Sequence, residues 1–171
     1  EDAVAILTNV LQDLKQEPMV RHEAAEALGA IGSSESLLIL NKYLKDPVVE
    51  VAETCELAIE RIKWLSSKEY EKGLSSNLYN SIDPAPALNN LNIQELRNIL
   101  LNDQENLFNK YRAMFALRNI NTDEAVLVLC EALNHGSALF KHEIAFVLGQ
   151  LQSNISVPYL STSLEDCSEN E

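Results

Sequence analysis

The sequence predicts an all-α chain: a superhelical α-α solenoid of stacked helix pairs, in two halves joined by a linker. Three observations carry this expectation. Segments from Pro18 to Leu44, from Leu107 to Leu133 and from Ala138 to Leu164 superpose without gaps, aligning Leu28 with Leu117 and Leu148, and Ala25 with Met114 and Ala145. Apolar residues recur at helical spacing within them, as at Val20, Ala24, Ala27, Leu28 and Ile31. No stretch of useful length alternates apolar and polar residues as a half-buried strand would. Repeats this short cannot bury an apolar face alone, so the core is expected between neighbouring repeats.

Taken in order, the chain starts inside an amphipathic helix and reaches the first aligned unit at Pro18. Gly32-Ser33-Ser34-Glu35 supplies a turn and a capping side chain before the apolar run Leu37-Leu38-Ile39-Leu40. Asp46-Pro47 opens a further unit running to Ile62, which places Leu57 on Leu28 and a proline where a first helical turn tolerates it. The repeat then lapses from Ser66 to Asn92, where Gly73, Ser75-Ser76-Asn77 and Asp83-Pro84-Ala85-Pro86 are turn and linker chemistry. Beyond it, Asn121-Thr122-Asp123-Glu124 caps the helix starting near Ala125, and Val157-Pro158 opens the last one. The expected organisation is therefore helical repeats over 1–65, a linker over 66–92 and helical repeats over 93–171.

Composition narrows the functional classes. Net charge is −13, from 26 acidic and 13 basic residues, and the Lys and Arg are scattered singly. No basic patch is available for phosphates, so nucleic acid is not an expected partner; a basic partner or a polyamine-like group suits the surface better. No apolar run approaches the roughly 18 residues that a membrane span needs, so no membrane is expected and the expected location is cytoplasmic. Cys55, Cys130 and Cys167 are odd in number and far apart, which points to buried thiols and not to disulfides or a zinc knuckle. Beginning without Met and ending in Glu165-Asp166-Cys167-Ser168-Glu169-Asn170-Glu171, the chain reads as a piece of a longer protein.

One motif carries chemistry. Arg21-His22-Glu23-Ala24-Ala25-Glu26-Ala27-Leu28-Gly29 and Lys141-His142-Glu143-Ile144-Ala145-Phe146-Val147-Leu148-Gly149 place a His-Glu pair at one repeat position, using two of only three histidines. Packing does not demand it, because Val51-Ala52 and Tyr111-Arg112 stand at the same position in other units. With Val20, Ala24, Ala27 and Leu28 facing the core, Glu23, Glu26 and Ala30 share the open face and His22 stands at its edge. Imidazole and carboxylate with positions left open suit non-haem iron; zinc takes the same ligands, though two such sites without cysteine favour it less. The plain alternative is a solvated helix face. His135, in Asn134-His135-Gly136, reads as a surface residue or helix C-terminal cap, Trp64 with Tyr70 and Tyr79 as packing, and Met19 and Met114 as core fillers. No phosphate loop, nucleophile elbow or His-Glu-x-x-His is present.

These strings, with Asp46-Pro47-Val48-Val49-Glu50-Val51-Ala52-Glu53-Thr54-Cys55, Asp83-Pro84-Ala85-Pro86, Tyr111-Arg112-Ala113-Met114-Phe115-Ala116-Leu117-Arg118-Asn119 and Ser137-Ala138-Leu139-Phe140, resemble the deoxyhypusine hydroxylase family of HEAT-repeat di-iron monooxygenases. The resemblance spans essentially the whole chain and implies a HEAT-like solenoid. It implies the second and third of four His-Glu motifs. His22 and Glu23 would then ligate one Fe(II) together with a histidine upstream of Glu1, and His142 the other, whose remaining ligands would lie beyond Glu171. Glu143 is a further candidate metal residue whose preferred role is to hold the cationic substrate side chain, with Glu26 as a weaker substrate contact. No catalytic residue beyond the metal ligands is implied. The reaction implied for a complete protein is O2-dependent hydroxylation of the deoxyhypusine side chain on a translation factor, with two Fe(II); this piece alone is expected to be inactive. The competing classes are a non-catalytic helical-repeat scaffold that binds a protein along its concave face and a HEAT-like lyase subunit handling pigments.

Overall fold

Helices begin and end in this chain where local chemistry dictates. In the computed structural model, residues 2–68, 70 and 79–167 are described, and they form α1 (Asp2–Gln12), α2 (Pro18–Ile31), α3 (Ser36–Lys42), α4 (Val49–Leu65), α5 (Ile93–Leu100), α6 (Leu107–Ile120), α7 (Asp123–Ala132), α8 (Ala138–Leu151) and α9 (Val157–Glu165), with a short 3-10 turn at Asn154–Ser156. No strand occurs among the described residues. None of these helices is long and apolar enough to cross a membrane. The all-α repeat architecture is as the sequence predicts.

The repeat equivalence is visible at helix ends. Gly32, Asn121 and Gln152, each four residues after an aligned leucine, all take left-handed backbone conformations and donate their N–H to the carbonyl of Leu28, Leu117 and Leu148 respectively. That shared cap stops α2, α6 and α8 at one repeat position. At the starts, Asn92, Asn106, Thr122 and Ser137 each accept a backbone N–H from three residues on, and Asn92 and Glu95 complete a capping box. Pro158 lies in the first turn of α9, as expected. Two expected starts differ in detail. Ser33 accepts the N–H of Glu35, ahead of α3, while Glu35 at the cap position makes no side-chain cap bond. Pro47 lies before α4; Asp46 accepts the N–H of Val48 and so turns the chain into the helix.

The described residues divide into two compact units, 2–68 with 70 and 82–85, and 79–81 with 86–167; the turn chemistry expected at Gly73 and Ser75-Ser76-Asn77 lies outside the described residues. In the first, α2 lies chiefly against α4 and α1. Leu11, Ala24, Ala25, Leu28, Leu40, Val51, Cys55, Ala58, Ile59 and Ile62 form its core. Hydrophobic periodicity placed Val20, Ala27 and Ile31 there. Val20 and Ile31 are exposed and Ala27 is half-buried, whereas Arg21 and His22 are buried. The buried stripe is rotated toward these polar residues because each has a partner. Arg21 donates to the Leu11 carbonyl (Nε, 3.0 Å) and makes a two-pronged pair with Asp46. That pairing raises the Arg21 guanidinium above its ordinary value and lowers the Asp46 carboxyl below its own.

The second unit buries α6 almost all round, including Tyr111, Met114, Phe115 and Leu117. Arg118 is fully buried; its guanidinium carbon lies 4.9 Å from the Tyr79 ring centre and 4.8 Å from that of Phe115, and it donates to Gln150 and Asn119 side chains. Tyr79 thus packs on Arg118, while Trp64 is met edge-on by Tyr70 at 5.3 Å. Met114 is a core filler as expected, but Met19 is exposed. It sits at the solvent side of α2, one residue past the helix-opening Pro18. Cys55 and Cys130 are buried thiols, pushed up to about 12 and about 11 by burial and so unreactive, whereas Cys167 is exposed after the end of α9.

Candidate metal centre

α2 and α4 come together because α2 carries glycine at their crossing. A β-carbon built on Gly29 would stand 2.7 Å from the Ala58 side chain and 2.8 Å from its Cα, a distance no real side chain adopts. One α2 turn or two N-terminal of that crossing, the same helix face presents His22 and Glu26. The close approach lays α4 over His22, which is 5% exposed. Burial of an imidazole demands hydrogen-bond partners. Its Nδ1 lies 3.1 Å from Oγ1 of Thr54 on α4, and that hydroxyl in turn donates to the Glu50 carbonyl at 2.8 Å.

The opposite ring atom, Nε2, lies 3.4 Å from Oε1 of Glu23, whose side chain is 67% exposed. A buried nitrogen and an exposed carboxylate oxygen therefore reach one point at the protein surface. Two ligand atoms about 2.1 Å from one first-row metal ion and at right angles to each other stand about 3 Å apart. The spacing fits two neighbouring corners of one coordination sphere. Glu26, half-buried one turn on, adds negative charge; its carboxyl is raised by burial and then by the charge of Glu23. This acidic edge suits a cation. Among the described residues no group of three or more His, Cys, Asp or Glu side chains stands ready to hold a metal.

His22 is thus not at the edge of an open face, as spacing alone suggested. It lies inside the interface between successive repeats, since α4 covers it. His142 and Glu143, at the same position of α8 in the second unit, are exposed and half-buried respectively. Phe146 and Gly149, one and two turns on, are exposed as well, and a β-carbon on Gly149 would meet nothing within 4 Å. No element among the described residues lies over that face of α8 as α4 lies over α2. His135 is half-buried in the turn after α7, with its N–H donated to the Ala132 carbonyl.

Two supporting residues escaped the sequence reading. Asp46 had a signal, an Asp-Pro turn, but its pairing with Arg21 spans 25 residues. Thr54 had a fainter one: it replaces the Ala25, Met114 and Ala145 of the aligned units.

Comparison with known proteins agrees with this architecture. Residues 1–60 match the family model of HEAT repeats, and residues 110–135 that of the PBS lyase HEAT-like repeat. Deoxyhypusine hydroxylase of Drosophila pseudoobscura pseudoobscura is 55% identical over 170 residues, covering 99% of this chain and 56% of the relative. Its Homo sapiens counterpart is 53% identical over 168 residues, covering 98% and 55%. The solved structure of human deoxyhypusine hydroxylase in complex with glycerol superposes with a TM-score of 0.92 at 52% identity, covering 99% of this chain and 58% of that one. The chain spans a little over half the length of the relatives it matches.

Proposed function

We propose that this chain, which belongs to the deoxyhypusine hydroxylase family, supplies the central part of a cytoplasmic monooxygenase that hydroxylates the deoxyhypusine side chain of a translation factor. The reading rests on one observation above all. His22 Nε2 and Glu23 Oε1 meet 3.4 Å apart while the far side of the same imidazole is held at Thr54, which is how a protein presents ligands to a metal.

In this reading His22 and Glu23 hold one Fe(II), and His142 holds a second with Glu143 beside it. Each site takes further ligands from outside these 171 residues. The ferrous pair, when bound, supplies the activation of O2 that lets one oxygen atom enter an unactivated C–H bond, a task beyond any side chain. The chain's own residues do the rest. Burial under α4 holds the His22 ring in one orientation and keeps water from its inner face. Glu143 takes the cationic amine of the substrate side chain, and the half-buried Glu26 adds a weaker attraction, because a carboxylate in a low dielectric binds an ammonium more strongly than one in water. The overall charge of −13 favours approach of such a cation.

The test is hydroxylation by the full-length protein of a deoxyhypusine-bearing protein substrate, followed by mass spectrometry. Gain of one oxygen atom, from O2 and not from water, is expected, together with its loss in His22→Ala and in His142→Ala. Unchanged hydroxylation in both variants would remove these residues from the site. Absence of turnover by the wild-type protein, with partner binding lost on substitution along an exposed groove, would favour the non-catalytic scaffold.

A further inference from the structure

We infer that Thr54 is a positioning residue of this site, fixing His22 in the tautomer that presents Nε2, and not Nδ1, to the metal. The inference rests on the metal reading above and adds to it a residue from the neighbouring repeat. A threonine hydroxyl has one proton. Thr54 is 3% exposed and stands mid-helix, where its Oγ1 lies 2.8 Å from the carbonyl of Glu50, one turn back. That carbonyl has no proton, so the hydroxyl donates to it. Toward His22 the same oxygen is then an acceptor, and the ring nitrogen 3.1 Å away carries the N–H. A neutral imidazole has one such proton. With it on Nδ1, the lone pair lies on Nε2, on the side where the Glu23 carboxylate stands at 3.4 Å.

The opposite tautomer conflicts with the Thr54 contact, whose hydroxyl proton is committed to Glu50. It would set the Nδ1 lone pair against the Thr54 oxygen unless the hydroxyl turned away from Glu50, and it would give the Nε2 proton to Glu23, closing both atoms to a metal. Repeat packing does not call for a hydroxyl here either. The aligned positions hold Ala25, Met114 and Ala145, so a methyl or a thioether fills the place elsewhere. The unit that lies over a His-Glu helix carries the threonine. Stacking of one repeat on the next thereby orients a ligand as well as burying it, the role that outer-shell partners play at metal sites.

The experiment uses histidine-selectively 15N-labelled full-length protein, first free of metal, with the His22 tautomer read by long-range proton–nitrogen correlation, and then in an anaerobic Fe(II) titration. The wild-type protein is expected to show His22 protonated at Nδ1. Thr54→Val should admit the Nε2-protonated form and weaken Fe(II) binding 10- to 100-fold, on the scale of outer-shell losses at metal sites; Thr54→Ser, which keeps the hydroxyl, should restore both. An Nε2-protonated His22 in the wild-type protein would overturn the inference without any variant, as would a Thr54→Val protein with unchanged tautomer and unchanged affinity. A wild-type protein that shows the Nδ1 proton but takes up no Fe(II) would end the role toward a metal by ending the metal reading itself, and the tautomer measurement tells that failure from the first.

Discussion

Gly29 and Ala58 meet where α2 crosses α4, leaving no room for a β-carbon on the glycine. Its repeat counterpart Gly149 has nothing within 4 Å of the same position. Gly29→Ala is therefore expected to destabilise this chain by about 1–3 kcal/mol through overpacking against backbone, more than alanine gains in helix propensity. Gly149→Ala should stabilise it by about 0.5–1 kcal/mol, since only the propensity gain remains. Urea unfolding of the two variants checks the contrast, and equal effects would mean that the helix crossing is looser than described.

Arg21 and Asp46 form a pair whose side chains are 4% and 1% exposed. Asp46→Asn leaves a buried guanidinium without its counter-charge and is expected to cost about 3–5 kcal/mol. The pH dependence follows from the lowered Asp46 carboxyl. A group whose folded value lies below its unfolded value, about 4 for an aspartate, contributes stability that is fully present above the unfolded value. That contribution is lost as pH falls from there through the folded value. Thermal melts between pH 7 and pH 2 should show the wild-type chain losing stability below about pH 4, with a shallower loss in Asp46→Asn.

Arg97 and Glu131 make a geometrically similar pair in the second unit, but their side chains are 38% and 42% exposed. Water already solvates both partners, and salt screens what attraction is left. Glu131→Gln should leave the melting temperature of the chain unchanged within error, at low and high salt alike. A loss approaching that of Asp46→Asn would show that exposure does not separate the two pairs.

Much of this fold was legible in the sequence, and the reasons are local. Leu28, Leu117 and Leu148 marked the repeat as buried side chains at helical spacing, and each helix stops on a left-handed residue four positions on, features confined to a few neighbouring residues. Thr122 marked a helix start for the same reason. The burial of α2 was misread because periodicity counts Arg21 and His22 as outward, whereas Asp46 and Thr54, 25 and 32 residues away, make their burial tolerable. The His-Glu motif was visible as a repeated pair. What could not be seen was that the two copies stand in different surroundings, His22 under a neighbouring helix and His142 exposed.

The most direct measurement is metal content. Anaerobically reconstituted full-length protein, desalted and analysed for iron, is expected to hold two ions in the wild type, with His22→Ala and His142→Ala each losing the iron of its own site. Wild-type iron content in both variants would contradict the assignment of either histidine as a ligand.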